Sequence, residues 1–423
     1  MKKILYPLVF VFTVFFAGGD LLAQSVKISG EVRPRYEYRH GYKKLIPDDY
    51  DAANFISQRT RLSAFYGNDI FKFGLVLQNV SVWGDVPQLN KSSVFGTSIH
   101  QAWGEVIFNE KFSVKLGRQE IIYDDHRIFG SVGWAQQARS HDAAIIKWKP
   151  SKKHRIDIGL ALNANGETLY KEDYAVNSYR TFQYLWYHGS FNKIGISFLA
   201  LNNGMPYKGA TDSTQKVVYS QTIGPRVTFK DGKISANAAF YYQGGKNADN
   251  KSTSAMYFSA NAAYKISKKF SVGFGGEYLS GTAYDETDTD KSFKPLYGTN
   301  HKFNGWMDYF YVGSYMKGPG LIDINIPLVY SVDKFTFKLI PHYFMAAATV
   351  GLDKDGKDLS SSLGTEIDFT VGYKMSKSMI ISAGYSQMLA TETMQVIKGG
   401  NYENTNNWAW VMFTFKPTFY KTK

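Results

Sequence analysis

The 423-residue chain has no cysteine. That excludes a disulfide scaffold, thiolate metal sites and a cysteine nucleophile. After the first two dozen residues no stretch approaches 18 uninterrupted apolar residues, so no transmembrane helix is expected there. A 3.6-residue apolar stripe is missing as well, so helices should be few. Proline is scarce, at 12 residues. Two of these, Pro225 and Pro341, fall inside candidate strands. Proline removes a ladder donor, so a bulge or a strand end is expected at each.

The one long apolar run is at the start. A basic head, Met1-Lys2-Lys3, precedes ILYPLVFVFTVFFAGG (4–19), and Leu21-Leu22-Ala23 offers a small residue before Gln24. This reads as a secretory signal peptide over 1–23 with cleavage after Ala23. A stop-transfer anchor would need about 20 residues, and without a nearby cysteine a lipoprotein reading fails. Removal of 1–23 takes the formal charge from +13 to +12, since Lys2, Lys3 and Asp20 leave with it.

Aromatics and glycine are abundant, with 30 Tyr, 30 Phe and 38 Gly. With a negative mean hydropathy, this suits a large β-protein whose apolar residues alternate rather than cluster. The segment ISGEVRPRYEYRH (28–40) shows the pattern. Ile28, Gly30, Val32, Pro34, Tyr36 and Tyr38 share one face, and Ser29, Glu31, Arg33, Arg35, Glu37 and Arg39 share the other. The same period of two recurs in 154–163, 254–266, 333–345 and 364–375. Roughly ten residues is the length a tilted strand needs to cross a bilayer.

Connection lengths alternate too. Short turns fall at Gly67-Asn68, Asn109–Lys111, Pro150–Lys153, Phe191–Lys193, Lys230–Lys233, Ser267–Lys269, Ser331–Lys334 and Ser376–Ser378. Long polar loops lie between them at 40–54, 83–98, 123–137, 164–178, 203–215, 244–253, 281–319, 348–361 and 392–405. Eight short turns and nine long loops imply an all-β, antiparallel transmembrane barrel of 18 strands over 24–423, the short turns being periplasmic. The stretch 303–315 also alternates, but parity assigns it to the long loop. The place of such a barrel is the outer membrane of a Gram-negative-type bacterium.

At about 18 strands, wall side chains no longer fill the interior. Lipid-facing Arg or Lys near the midplane costs roughly 2–4 kcal/mol, so the charged columns should face the lumen. Strand one supplies Arg33, Arg35 and Arg39, and strand two (55–65) supplies Arg59 and Arg61 on one face. Lys115 and Arg226 also lie on polar faces, and Arg139, His141 and Lys147 share one. Two arrangements compete. Arginines and carboxylates brace the wall as ion pairs, or unpaired guanidinium groups draw anions at a constriction. The arginine excess in the first two strands favours the second.

Three segments carry a family resemblance: LGRQEIIYDDHRIFG (116–130), WAQQARSHD (134–142) and PLYGTNHKFNGWMDYF (295–310). They resemble the alginate export family of outer-membrane barrels in a Gly-Arg-Gln-Glu strand end, an Arg-x-x-Asp strand start and a late Gly-x-x-His-x-Phe-x-Gly-x-x-Asp block. The resemblance implies an 18-stranded barrel with a basic constriction that passes an acidic polysaccharide outward. It also implies that Arg118, Glu120, Arg127, Arg139 and Asp142 sit at or near the constriction. Alternation puts Arg118 on the Leu116 face, so a bulge at Gly117 is expected. His301, Gly305 and Asp308 would belong to a long loop packed back toward the mouth. One departure stands out. The family's long periplasmic plug loop has a tight turn, Lys374 to Met379, in its place.

Other constellations are weaker. DKDGKD (353–358) imitates the start of a calcium loop through Asp353, Asp355 and Asp358, but lacks the closing bidentate Glu. A solvated turn is expected, with no metal and no cofactor. The acidic loop 284–292 reads as mobile and places negative charge outside a positive channel. Ser140, His141 and Asp142 are adjacent, so alternation sends them to opposite faces and no triad forms; no enzyme is expected. Export and lumenal charge argue against nucleic acid as a partner. Tyr36, Tyr38, Tyr123, Trp148, Trp186, Tyr187, Trp408, Trp410, Phe413 and Phe415 read as interface girdles. Trp103 and Trp134 are candidates to stack on sugar rings inside.

The expected partners are therefore outer-membrane lipid, the barrel-assembly machinery that reads the aromatic last strand, and an anionic solute, foremost an acidic, alginate-like polysaccharide. The barrel is expected to be a monomer. A general or small-anion porin without polymer specificity, or a structural or adhesive barrel, are the alternatives.

Overall fold

The computed structural model describes residues 24–89, 96–175, 178–299, 301–310 and 318–422. The expected signal peptide, and residues 311–315 of the alternating stretch assigned to a loop, lie outside them.

Alternating sequence becomes ladder. The strands are β1 (Ser25–His40), β2 (Ala53–Gly67), β3 (Phe71–Val82), β4 (Thr97–Asn109), β5 (Phe112–Gln119) and β6 (His141–Ser151). They continue through β7 (His154–Leu162), β8 (Thr181–Phe191), β9 (Ile194–Tyr207), β10 (Lys216–Asp231), β11 (Ile234–Lys246) and β12 (Ser252–Lys265). The last are β13 (Phe270–Leu279), β14 (Leu321–Asn325 continued by Leu328–Val332), β15 (Phe335–Met345), β16 (Ser362–Lys374), β17 (Met379–Ala390) and β18 (Asn406–Phe415 continued by Thr418–Lys421). Each strand pairs with the next, and β18 returns to β1 with Arg35 opposite Met412, which closes an 18-stranded antiparallel barrel. Closure leaves no sheet edge, as a hydrocarbon environment requires. The short turns and long loops fall within about three residues of where the sequence puts them, except that β9 extends to Tyr207. Residues 301–310 form no strand.

The prolines act differently from expectation. At Pro225 the β10 register against β9 and β11 is unchanged; the ladder to β11 merely skips Gly224 and Pro225. Opposite Pro341 it is the neighbouring strand β14 that breaks, at Ile326-Pro327, and the Ile326 amide donates to the Pro341 carbonyl at 3.1 Å. A real bulge lies elsewhere: between β3 and β4 the register shifts at Val76/Leu77, where His100 is the extra residue.

The two faces separate cleanly. Val32 and Tyr36 are exposed on the outer wall, whereas Glu31, Arg33, Arg35 and Glu37 are buried inside. Outward exposed residues include Leu62, Phe73, Leu116, Leu185, Phe258, Phe369 and Phe413, an apolar outer wall of the kind acyl chains cover. The chain is an outer-membrane barrel. Four expected girdle residues belong inside instead. Tyr123, Trp186, Trp408 and Trp410 are at most 8% exposed, and pack into the core that fills the bore. Tyr36, Trp148, Phe413 and Phe415 remain on the outside.

Candidate functional site

Eighteen strands enclose more space than wall side chains fill, and two long loops enter it. Loop 120–140 follows β5, and loop 280–320, described over 280–299, 301–310 and 318–320, follows β13. They meet each other through a parallel bridge, Phe129 to Tyr297. The Gly130 amide donates to the Tyr297 carbonyl and the Thr299 amide to the His126 carbonyl, both at 2.9 Å. Their rings interleave as well: Phe129 stacks on Tyr297 at 5.4 Å and Trp134 on His301 at 4.1 Å.

The basic wall holds the first loop. Arg33 donates to the Gly133 carbonyl (2.7 Å), the Trp134 carbonyl (2.9 Å) and Gln136 Oε1 (2.9 Å). Arg35 donates to the Trp134 carbonyl at 2.8 Å, pairs with Glu37, and lies 4.1 Å over the Trp134 ring. Arg59 joins Glu31 at 2.8 Å and reaches the Gly133 carbonyl at 3.3 Å. Loop carbonyls carry partial negative charge and no helix or sheet partner, so fixed guanidinium donors satisfy them. These three arginines point inward as expected, yet they are not open to water. Each is at most 7% exposed, and each serves as an anchor for the loop.

The second loop is held by an acidic wall that the sequence reading did not single out. The Met307 amide donates to Glu366 (2.7 Å) and the Trp306 amide to Asp368 (3.1 Å). Asn304 donates to Glu277 at 3.0 Å and to Asp323 at 3.2 Å. Arg127 crosses from the first loop to Glu277 at 2.7 Å. Tyr42 and His301 both bond Asp308. Burial alone pushes the Asp308 carboxyl up, but His301, the Tyr42 hydroxyl and the Lys43 ammonium outweigh it and hold the group below its ordinary range. Thus His301, Gly305 and Asp308 lie in a loop that folds back into the barrel.

The remaining candidates scatter. Arg39 pairs with Glu37 at 2.9 Å, Arg226 with Asp125 at 3.1 Å, and Glu120 with His100 at 2.8 Å. The Arg61 Nε donates to Gln78 at 2.8 Å, and Lys115 sits 3.9 Å over the Trp103 ring. Arg118 pairs with Asp142 at 2.7 Å, both well exposed. The bulge expected at Gly117 is absent: the β4–β5 register runs unbroken past it, and Gly117 takes φ +112° instead. Arg139 donates to the Gly298 carbonyl at 2.9 Å. In DKDGKD, Asp353 accepts from the amides of Asp355 and Lys357, both at 2.9 Å, which closes the turn on itself. No cluster able to hold a metal ion occurs among the described residues.

Two cavities flank the joined loops. One, of about 550 Å³, lies beside Arg118, Arg139, His141, Tyr179, Lys294 and Tyr297 toward the long-loop end. The other, of about 480 Å³, is walled by Trp134, His301 and Trp306 of the loops, by Trp410 of β18, and by Lys334, Lys338 and Lys374 toward the short-turn end. The second has no Asp or Glu in its lining.

No family model matches the chain and no curated protein matches it. Solved structures do. OccAB1 of Acinetobacter baumannii superposes with a TM-score of 0.63 at 12% identity, over 93% of this chain and 97% of that one. OccAB4 of the same organism gives 0.62 at 11%, over 95% and 100%. OccD3 (OpdP) of Pseudomonas aeruginosa gives 0.61 at 12%, over 96% and 94%. The fold this chain shares is that of outer-membrane porins.

Proposed function

We propose that this barrel is a passive channel for small anionic solutes. The observation that carries the reading is the cavity on the short-turn side. Lys334, Lys338 and Lys374 line it without an ion pair among the described residues, and no carboxylate faces them. The indole N–H groups of Trp134 and Trp410 border the same space, buried and without an acceptor. Solvent-exposed cations and indole donors lacking acceptors, gathered between the walls of one vestibule, attract anions. Lysine is a mobile point charge, suited to passing an ion onward rather than holding it.

Export of an acidic polysaccharide has less behind it. The structural neighbours are porins, not alginate exporters. A polymer would also have to displace two loops that the wall holds through Arg33, Arg35, Arg59, Glu366 and Asp368. A small solute needs only gaps beside them.

Planar-bilayer recording across a potassium chloride gradient tests the reading. The reversal potential should report chloride over potassium, and the triple change Lys334→Gln, Lys338→Gln, Lys374→Gln should move it at least halfway to zero. Cation selectivity in the unmodified protein, or an unchanged potential in the triple variant, would overturn it.

A further inference from the structure

The cavity on the long-loop side has a chemistry of its own. Three cations line it, Arg118, Arg139 and Lys294, with one carboxylate, Asp142. Arg118 and Asp142 neutralise each other at 2.7 Å, and Asp290 takes Lys294 at 2.5 Å. Arg139 is the cation left over. Its side chain donates to the Gly298 carbonyl, and no carboxylate pairs with it among the described residues. Two further polar atoms border the same space with nothing to bond. His141 is 3% exposed, gives Nδ1 to the Tyr179 hydroxyl and leaves Nε2 buried without a partner. Thr253 is 8% exposed and its hydroxyl is likewise unpartnered.

A buried polar atom without a partner costs about 1–3 kcal/mol, and two such atoms beside a cation that no carboxylate neutralises point to a missing ligand. A volume of about 550 Å³ falls within the range of small-molecule sites, roughly 300–1,000 Å³. We propose that this cavity is a binding subsite for a hydroxylated monocarboxylate of sugar-acid size. Arg139 takes the carboxylate, for which its planar fork is suited, and His141 and Thr253 take hydroxyl groups. One net positive charge selects a monoanion over a dianion or a neutral polyol. Tyr179 and Tyr297, which also line the cavity, give the carbon backbone an apolar bed. The subsite rests on the anion-channel reading, as the stop at which a solute rests before the loops.

Equilibrium binding to the full-length protein in detergent, measured by calorimetry, tests this apart from conduction. The probes are gluconate and sorbitol, equal in chain length and different in charge. Gluconate should bind saturably and sorbitol should not. Arg139→Gln should weaken gluconate about tenfold or more. Thr253→Val, which removes a hydroxyl the fold does not use, should weaken it about threefold. Equal affinity for sorbitol, or gluconate affinity unchanged in both variants, would overturn the subsite. Loss of chloride selectivity in the parent protein with gluconate binding intact would instead strike the channel reading and leave the subsite standing.

Discussion

At Arg33 a single guanidinium ties a strand to a loop some hundred positions along the chain. It accepts nothing and donates to three loop carbonyls and Gln136. Replacement by methionine keeps the bulk and removes every Arg33 donor, which leaves the Gly133 and Trp134 carbonyls with only Arg59 and Arg35 to hold them. Losing hydrogen bonds from a charged donor to buried neutral acceptors costs about 1.5–3 kcal/mol, enough to loosen the loop without touching the β1 ladder. Arg33→Met should therefore expose Arg127 and Arg139 to trypsin in folded, outer-membrane-embedded protein, where the parent resists. Continued resistance would show that Arg33 does not hold the loop. This role was half legible. Alternation puts Arg33 inside, but period-two reasoning says nothing of what arrives from a loop to meet it. Hence a residue expected to face water is buried.

Elements explain which parts of the site the sequence could reveal. A strand's facing is fixed by parity, so Glu366 and Asp368 already fall on the inner face of the 364–375 pattern, and Lys338 and Lys374 on the inner faces of theirs. Their significance was missed because like signs gather only after the sheet closes, when β13 to β16 stand side by side. Trp408 and Trp410 share this logic: they alternate with Val411, Phe413 and Phe415, yet residue type suggested a girdle and outweighed register. Loops have no period, so the contact of 120–140 with 280–320 had no signal beyond the Gly and Asn positions that permit it. Gly305 is one, at φ +80°, where an added Cβ would meet the Glu366 carboxylate at 2.6 Å. Gly305→Ala should dislodge the Trp306 and Met307 amides from the acidic wall at a cost of at least about 1 kcal/mol. Faster tryptic cleavage after Lys302 in the variant is the expected result, and an unaltered cleavage rate would refute the acidic anchor.

For the whole molecule, wall and filling are separable structures. The wall is held by antiparallel ladders that run around all 18 strands, and none of those hydrogen bonds passes through the loops. The filling is held by side chains of the wall. Loop 120–140 even departs and returns at neighbouring points, since Gln119 and His141 are cross-strand partners. Replacing 120–140 by Asn-Gly, a two-residue hairpin turn matched to strand twist, should therefore leave a barrel that assembles and resists unfolding in unheated detergent. Arg33, Arg35 and Arg59 would lose their carbonyl partners and face water, and loop 280–320 would lose the Phe129 bridge. The bore should widen and its wall gain exposed positive charge, so single-channel conductance should rise several-fold and chloride selectivity should increase. An assembled variant whose conductance equals the parent's would place the constriction elsewhere. Failure to assemble would mean that the aromatic contacts of Phe129 with Phe182 and Tyr184 help the strands find one another, and that the filling is part of how the wall is built.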